Sequence, residues 1–197
     1  MNKILFEPEG HIYTTPEGLV VPSVSEILEH FGISDFSRVN GRVLEAAQNF
    51  GSVVHKTCEL YDKDDLAECD PQIQPYLDQW NNFKGDELFS SFEIIETPLY
   101  SKMWCFAGTP DRINYGNKGF NVLLDIKTGS EYPAHRVQTA FYQILVEENY
   151  KIKIKNRVCV YLGPDKYHAV EHKDKSDINI AKSLISIYNF KKREGLL

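Results

Sequence analysis

Two carboxylates and an ammonium sit where the sequence pattern otherwise asks for buried strand. Asp111 follows Pro110 in GTPDRI, and Asp125 lies inside the apolar run NVLLDIKTG, two residues ahead of Lys127. A buried charge is costly unless it is paired or binds a metal. Strand alternation puts Val122, Leu124 and Ile126 on one face and Leu123, Asp125 and Lys127 on the other. A carboxylate and an ammonium thus project side by side from the end of one strand. Two aspartates brought together would repel without a cation between them. Hard oxygen ligands with few other partners suit Mg²⁺ or Mn²⁺. Taken alone, Asp125 and Lys127 read more simply as a solvent-exposed salt bridge on an edge strand.

Two helical spacings add to these groups. Gln138 and Tyr142 are four residues apart, so they share one helix face. Gly51, His55 and Glu59 follow one another at the same step, which sets an imidazole and a carboxylate behind a close-packing glycine. By itself His55 reads as a satisfied interior histidine, and Gln138 and Tyr142 as helix surface.

The elements that must position these residues are legible in outline. Pro8-Glu9-Gly10 and Pro16-Glu17-Gly18 break the N-terminal run into short strands. Ser23 with Glu26 forms a capping-box pattern that opens a short helix, and Gly32 ends it. From Ser37 to Tyr61 apolar residues recur at three- and four-residue steps, predicting a long helix. A further helix starts or breaks near Pro75. Three β-like runs follow: SFEIIETPLYS, WCFAGTPDRINYG and FNVLLDIKTG. Gly116, Asn117 and Gly119 suit a hairpin turn between the strands of Asp111 and Asp125, which makes those strands adjacent and antiparallel. AHRVQTAFYQILVEENY predicts a helix, NRVCVYLGPD and YHAVEHK two strands, and SDINIAKSLISIYNFKKR a closing helix capped by Ser176 or Asp177. The pattern is a mixed α/β domain spanning 1–197: a hairpin and helical part over 1–85, and a sheet core with closing helices over 86–197.

The bulk numbers narrow the classes. Apolar residues make up 42% and charged residues 25%, ordinary for a globular protein with one core. Apolar runs fall well short of the roughly 20 residues that span a bilayer. The start, MNKILFEPEGH, meets charge and proline too early for a secretory signal, so a cytoplasmic protein without membrane contact is expected. A net charge of −6 argues against a non-specific nucleic-acid coat but not against a nucleic-acid enzyme. Cys58, Cys69, Cys105 and Cys159 form no C-x-x-C pair, which speaks against zinc and for reduced structural thiols.

Taken in order, G-x-x-x-H (Gly51, His55), P-D (Pro110, Asp111), D-x-K (Asp125, Lys127) and Q-x-x-x-Y (Gln138, Tyr142) resemble the RecB-like branch of the PD-(D/E)XK nucleases. That branch includes RecB and AddB nuclease domains, CRISPR-associated RecB-like exonucleases and many phage exonucleases. The resemblance runs from about residue 50 to about residue 145. It implies a restriction-endonuclease-like α/β core, a mixed β-sheet flanked by helices, with a helical N-terminal segment. It further implies a divalent-metal-dependent deoxyribonuclease, an exonuclease in DNA recombination, repair or phage DNA processing. Asp111, Asp125 and Lys127 would be catalytic. His55, Asp111, Asp125 and the carbonyl of Ile126 would hold Mg²⁺ or Mn²⁺, with Gln138 and Tyr142 holding DNA or bracing the site. Glu59 would stand behind the ligands on spacing alone. The partner implied is DNA, as a single strand or a duplex end, with room for a recombination partner protein. An endonuclease or junction resolvase on the same core, or a catalytically inactive DNA-binding module, stays open. CRISPR-associated members hold an iron–sulfur cluster with one cysteine before the core and three after it. Here only Cys159 follows, so no cluster is expected.

Overall fold

The computed structural model of the chain describes residues 4–87, 89, 91–115 and 121–197. The two Pro-Glu-Gly turns, with Gly10 and Gly18 at φ of 84° and 83°, divide the N-terminal run into β1 (Leu5–Glu7), β2 (Ile12–Thr14) and β3 (Val20–Val21). These three pair antiparallel in sequence order. The capping box opens α1 (Val24–His30): Ser23 Oγ accepts the Glu26 amide at 3.0 Å, and Glu26 accepts the Ser23 amide in return. The long helix α2 (Gly41–Asp62) begins four residues later than the periodicity suggests. Asn40 sets that start, its side chain accepting the Arg42 amide at 3.0 Å. Pro75 stands in the first turn of α3 (Gln74–Asp86), where its missing N–H costs nothing.

The three β-like runs prove to be five strands. These are β4 (Ile94–Ile95), β5 (Leu99–Ser101), β6 (Phe106–Gly108), β7 (Arg112–Asn114) and β8 (Val122–Lys127). Glu96, at a φ of 42°, and then Pro98 turn the chain between β4 and β5, so one apolar run feeds two sheets. After β8 come α4 (Pro133–Tyr150), β9 (Asn156–Leu162), β10 (Tyr167–Glu171) and α5 (Ser176–Arg193). The main sheet runs β10-β9-β8-β7-β4, with β8 parallel to β9 and every other pair antiparallel, while β5 and β6 form a separate ribbon. β8 is therefore the central strand, which corrects the edge-strand reading of Asp125 and Lys127.

Period-two alternation gives the sheet a core on each face. Val122, Leu124, Ile126, Val160 and Leu162 bury against α2 and α3, around Trp80 and Phe83. Ile113 and Leu123 face α1, α4 and α5 together with Phe106 and Phe141. Neither Ser176 nor Asp177 caps α5, contrary to expectation. The Ser176 amide donates to Asp174, and Asp177 is fully buried, accepting Arg136 at 2.7 Å and Arg157 at 2.8 Å. No helix among the described residues is long and apolar enough to cross a membrane.

Candidate active site

The antiparallel register of β7 and β8 pairs Arg112 with Leu124 and Ile113 with Leu123. One residue further along, the same register sets Asp111 opposite Asp125. The predicted turn residues Gly116, Asn117 and Gly119 lie outside the described residues. Asp111 Oδ2 accepts the Ile126 amide at 2.6 Å, which fixes one carboxylate against the backbone of the strand that carries the other. Lys127 Nζ lies 2.8 Å from Asp125 Oδ2, and Cys159, its neighbour across β9, donates to the same oxygen at 3.4 Å. Asp125 Oδ1 is buried without a partner among the described residues. A buried carboxylate oxygen that the chain leaves unpaired is suited to an ion or a water.

α2 comes over the end of these strands. A Cβ on Gly51 would stand 3.2 Å from Thr128 Oγ1, so the glycine allows the helix its close approach. One turn on, His55 Nδ1 reaches Asp111 Oδ2 at 3.4 Å and Glu96 Oε1 at 3.7 Å. Ligand atoms of His55, Glu96 and Asp111 all lie within 4.8 Å of one another. Donors bound at roughly 2.0–2.6 Å to one divalent cation are separated by such distances. The donor set, carboxylates plus one imidazole, fits a hard or borderline ion such as Mg²⁺ or Mn²⁺.

Electrostatics point the same way. Burial pushes the Asp111 and Asp125 carboxyls above their ordinary value; Glu96 raises Asp111 further, and Asp111 raises Asp125. Lys127 and His55 pull in the opposite direction without cancelling the effect. Burial lowers the His55 pKa, but Asp111 and Glu96 outweigh it and leave the imidazole more basic than usual. Lys127 follows the same logic, with burial opposed by Asp125 and Asp111.

On the α4 face of the sheet, which also carries Asp125 and Lys127, Gln138 Nε2 donates to the Tyr142 hydroxyl at 2.9 Å. The Tyr142 ring packs against Gly108, where a Cβ would stand 3.0 Å from Cε1. Its pKa is pushed up by burial first and by Asp125 and Asp111 after it. His55, Asp111, Asp125, Lys127, Gln138 and Tyr142 thus gather where α2 and α4 meet the end of β8. Glu59 does not join them: it bonds Lys56 at 2.9 Å and Lys63 at 2.7 Å on the helix surface.

Several residues of the site escaped sequence reading. Glu96 carried the same signal as Asp125, a carboxylate inside an apolar β-like run, but with no partner at a recognisable spacing. Arg112, fully buried, donates to Glu96 at 3.0 Å and to Asp62 at 2.8 Å. Asp62 follows His55 by seven residues, two helical turns along the same face, which was available as a clue. Trp80 and Lys84 complete its shell at 2.9 and 2.6 Å. Cys159 is found through strand register alone.

A family profile described as the PD-(D/E)XK nuclease superfamily matches residues 73–183, more than half of the chain. Asp111, Asp125, Lys127, Gln138 and Tyr142 fall within that span, and His55 before it. A search among curated proteins finds no match. Among solved structures, one from Eubacterium rectale, provisionally described as an exonuclease, aligns with a TM-score of 0.53 at 11% identity. The alignment covers 75% of this chain and 69% of that one. Another, SSO0001, gives a TM-score of 0.39 at 18% identity over 57% and 58% of the two chains, too low to bear on the fold. The mixed sheet between helical layers is a restriction-endonuclease-like α/β core.

Proposed function

We propose a function from one premise: the chain belongs to the PD-(D/E)XK nuclease superfamily. It is a nuclease, and the reading supported best is a divalent-metal-dependent deoxyribonuclease of the RecB-like branch, working from strand ends. The observation that carries this is the orphaned Asp125 Oδ1, buried beside Lys127 with the His55–Glu96–Asp111 cluster at the same strand end. His55, Asp111, Asp125, the Ile126 carbonyl and Glu96 would hold the metal. When bound, Mg²⁺ or Mn²⁺ supplies a Lewis acid for the phosphate and a more acidic water.

The chain's own groups do the rest. Lys127, held by Asp125, orients the attacking water and offsets charge that builds on the phosphate as its bond breaks. Arg112 and the Ile126 amide fix Glu96 and Asp111, so the ligand set is organised before DNA arrives. Tyr142, steadied by Gln138, packs on the face of the sheet to which Asp125 points.

An exonuclease mode is favoured by enclosure. The Lys127 side chain is 17% exposed and that of His55 28%, so both groups are largely enclosed. A strand end enters such a site more readily than continuous duplex. The provisional exonuclease description of the Eubacterium rectale relative points to the same mode. A role in recombination, repair or phage DNA processing follows from the RecB-like motifs. Incubating the protein with end-labelled linear DNA and with closed circular DNA, each with Mg²⁺ and Mn²⁺, tests the proposal. Stepwise shortening of linear strands with circles intact is expected. Linearised circles would replace the exonuclease reading with an endonuclease, and no cleavage in either metal would overturn the enzyme.

A further inference from the structure

The β8–β9–β10 register continues sideways from Lys127. Lys127 pairs with Tyr161, and Tyr161 pairs with His168, so one face of the sheet carries a row of three side chains across three strands. The Tyr161 and His168 rings stack at 4.7 Å with only 10° between their planes. Tyr161 is buried, and its hydroxyl lies 2.9 Å from His135 Nδ1 at the start of α4, which locks the ring in place. His168 is half exposed and bonds Glu131 at 3.0 Å. A cavity of about 330 Å³ opens against this pair, lined by Thr128, Ser130, Tyr161, Asp165, Lys166 and His168, and it begins one residue past Lys127. That volume lies at the lower end of small-ligand sites, roughly 300–1,000 Å³.

Charge selects what it takes. The lining carries Lys166 and Asp165 together, and Glu131 stands beside His168. A phosphate gains little from such a balanced wall, whereas a flat neutral ring gains a stacking surface. We propose that this cavity is a nucleobase subsite, where the base flanking the scissile phosphate leaves its stack and lies against His168, backed by Tyr161. The proposal rests on the nuclease reading and deepens it, because a base lying against His168 has given up its own pairing partner. The enzyme therefore requires a frayed or single-stranded terminus, and reads the presence of a base there.

The experiment uses short end-labelled single strands, with an abasic nucleotide moved position by position from the end. Cleavage is followed with Mn²⁺, and affinity separately by fluorescence anisotropy with Ca²⁺. One abasic position should raise the wild-type KM about tenfold, the size of a single base–aromatic stack, with kcat within about twofold. His168→Ala should raise KM on the intact strand by the same factor and ignore that abasic position, while His168→Phe restores both. An unchanged KM in His168→Ala, or an abasic penalty equal in wild type and variant, overturns the subsite while cleavage continues. A chain that cuts nothing yet shows the His168-dependent abasic effect on affinity keeps the subsite and loses the nuclease reading. Failure to bind or cut overturns both.

Discussion

Lys127 and Asp125 form an ion pair of the kind that could serve structure alone, and substitution separates the two roles. An exposed pair is worth about 0–1 kcal/mol and its loss would spare activity. A lysine facing a developing charge behaves otherwise: Lys127→Ala should lower kcat by about 10²-fold or more and leave DNA affinity near wild type, because its effect is concentrated in the transition state. Steady-state cleavage and anisotropy on the same preparation check this, and full activity in Lys127→Ala would sink the mechanism. His55 reaches the cluster from α2 with the only nitrogen ligand in it among the described residues. His55→Ala should reduce cleavage and shift the Mn²⁺-to-Mg²⁺ activity ratio toward Mg²⁺, since imidazole favours Mn²⁺ more than carboxylates do. Kinetics unchanged in both metals would return His55 to a structural role. These residues were legible because charge inside an apolar pattern is anomalous. Spacing shows which face a side chain shares, not which neighbour captures it. Glu59 shares the face of His55, yet Lys56 and Lys63 hold it at the surface. Glu96 was hidden for the complementary reason: its neighbours Arg112 and His55 come from distant parts of the chain.

Elements were legible where local rules suffice. The Ser23–Glu26 box, the Pro-Glu-Gly turns and the proline in the first turn of α3 each depend on a few adjacent residues. The strands were less so: β4 and β5 occupy one apolar run, and although Pro98 marks a break in it, the positive φ of Glu96 that sends the two strands into different sheets leaves no side-chain signal. The start of α5 failed differently. Asp177 looks like a cap, but tertiary structure takes it inward to two arginines, Arg157 itself nearly buried. Removing one member of such a buried set leaves charge uncompensated. Asp177→Ala should therefore cost about 3–5 kcal/mol, whereas Ser176→Ala, on the exposed surface, should stay within about 0.5 kcal/mol. Denaturant unfolding of the two variants checks the contrast, and equal small effects would mean that α5 does not depend on the Asp177 pairs.

At the scale of the molecule, the site lies between the two cores, so its charge state feeds directly into the stability of the whole fold. Burial raises the Asp125 carboxyl above its ordinary value of 3.8, and Asp111 moves the same way. A raised carboxyl binds protons in the fold that it has already lost in the unfolded chain. Its contribution is fully present below the unfolded value of 3.8 and is lost as pH rises through the elevated folded one. At neutral pH the metal-free protein thus carries a penalty that a bound cation removes. Mn²⁺ at 100 times its Kd should stabilise the protein by about 2.7 kcal/mol. For a domain of this size that corresponds to a Tm rise of roughly 5–10 °C. Asp125→Asn keeps the shape and removes the charge. It should melt higher than wild type without metal at neutral pH, show a flatter dependence of Tm on pH, and respond little to Mn²⁺. Thermal melts of both proteins across pH, with and without Mn²⁺, measure all three. A purely structural Asp125–Lys127 pair predicts the reverse order, because the asparagine would then forfeit an ion pair and gain nothing. A metal-free Asp125→Asn that melts below wild type would leave the buried aspartate a structural group, and the cation would have to be held by His55, Glu96 and Asp111 without it.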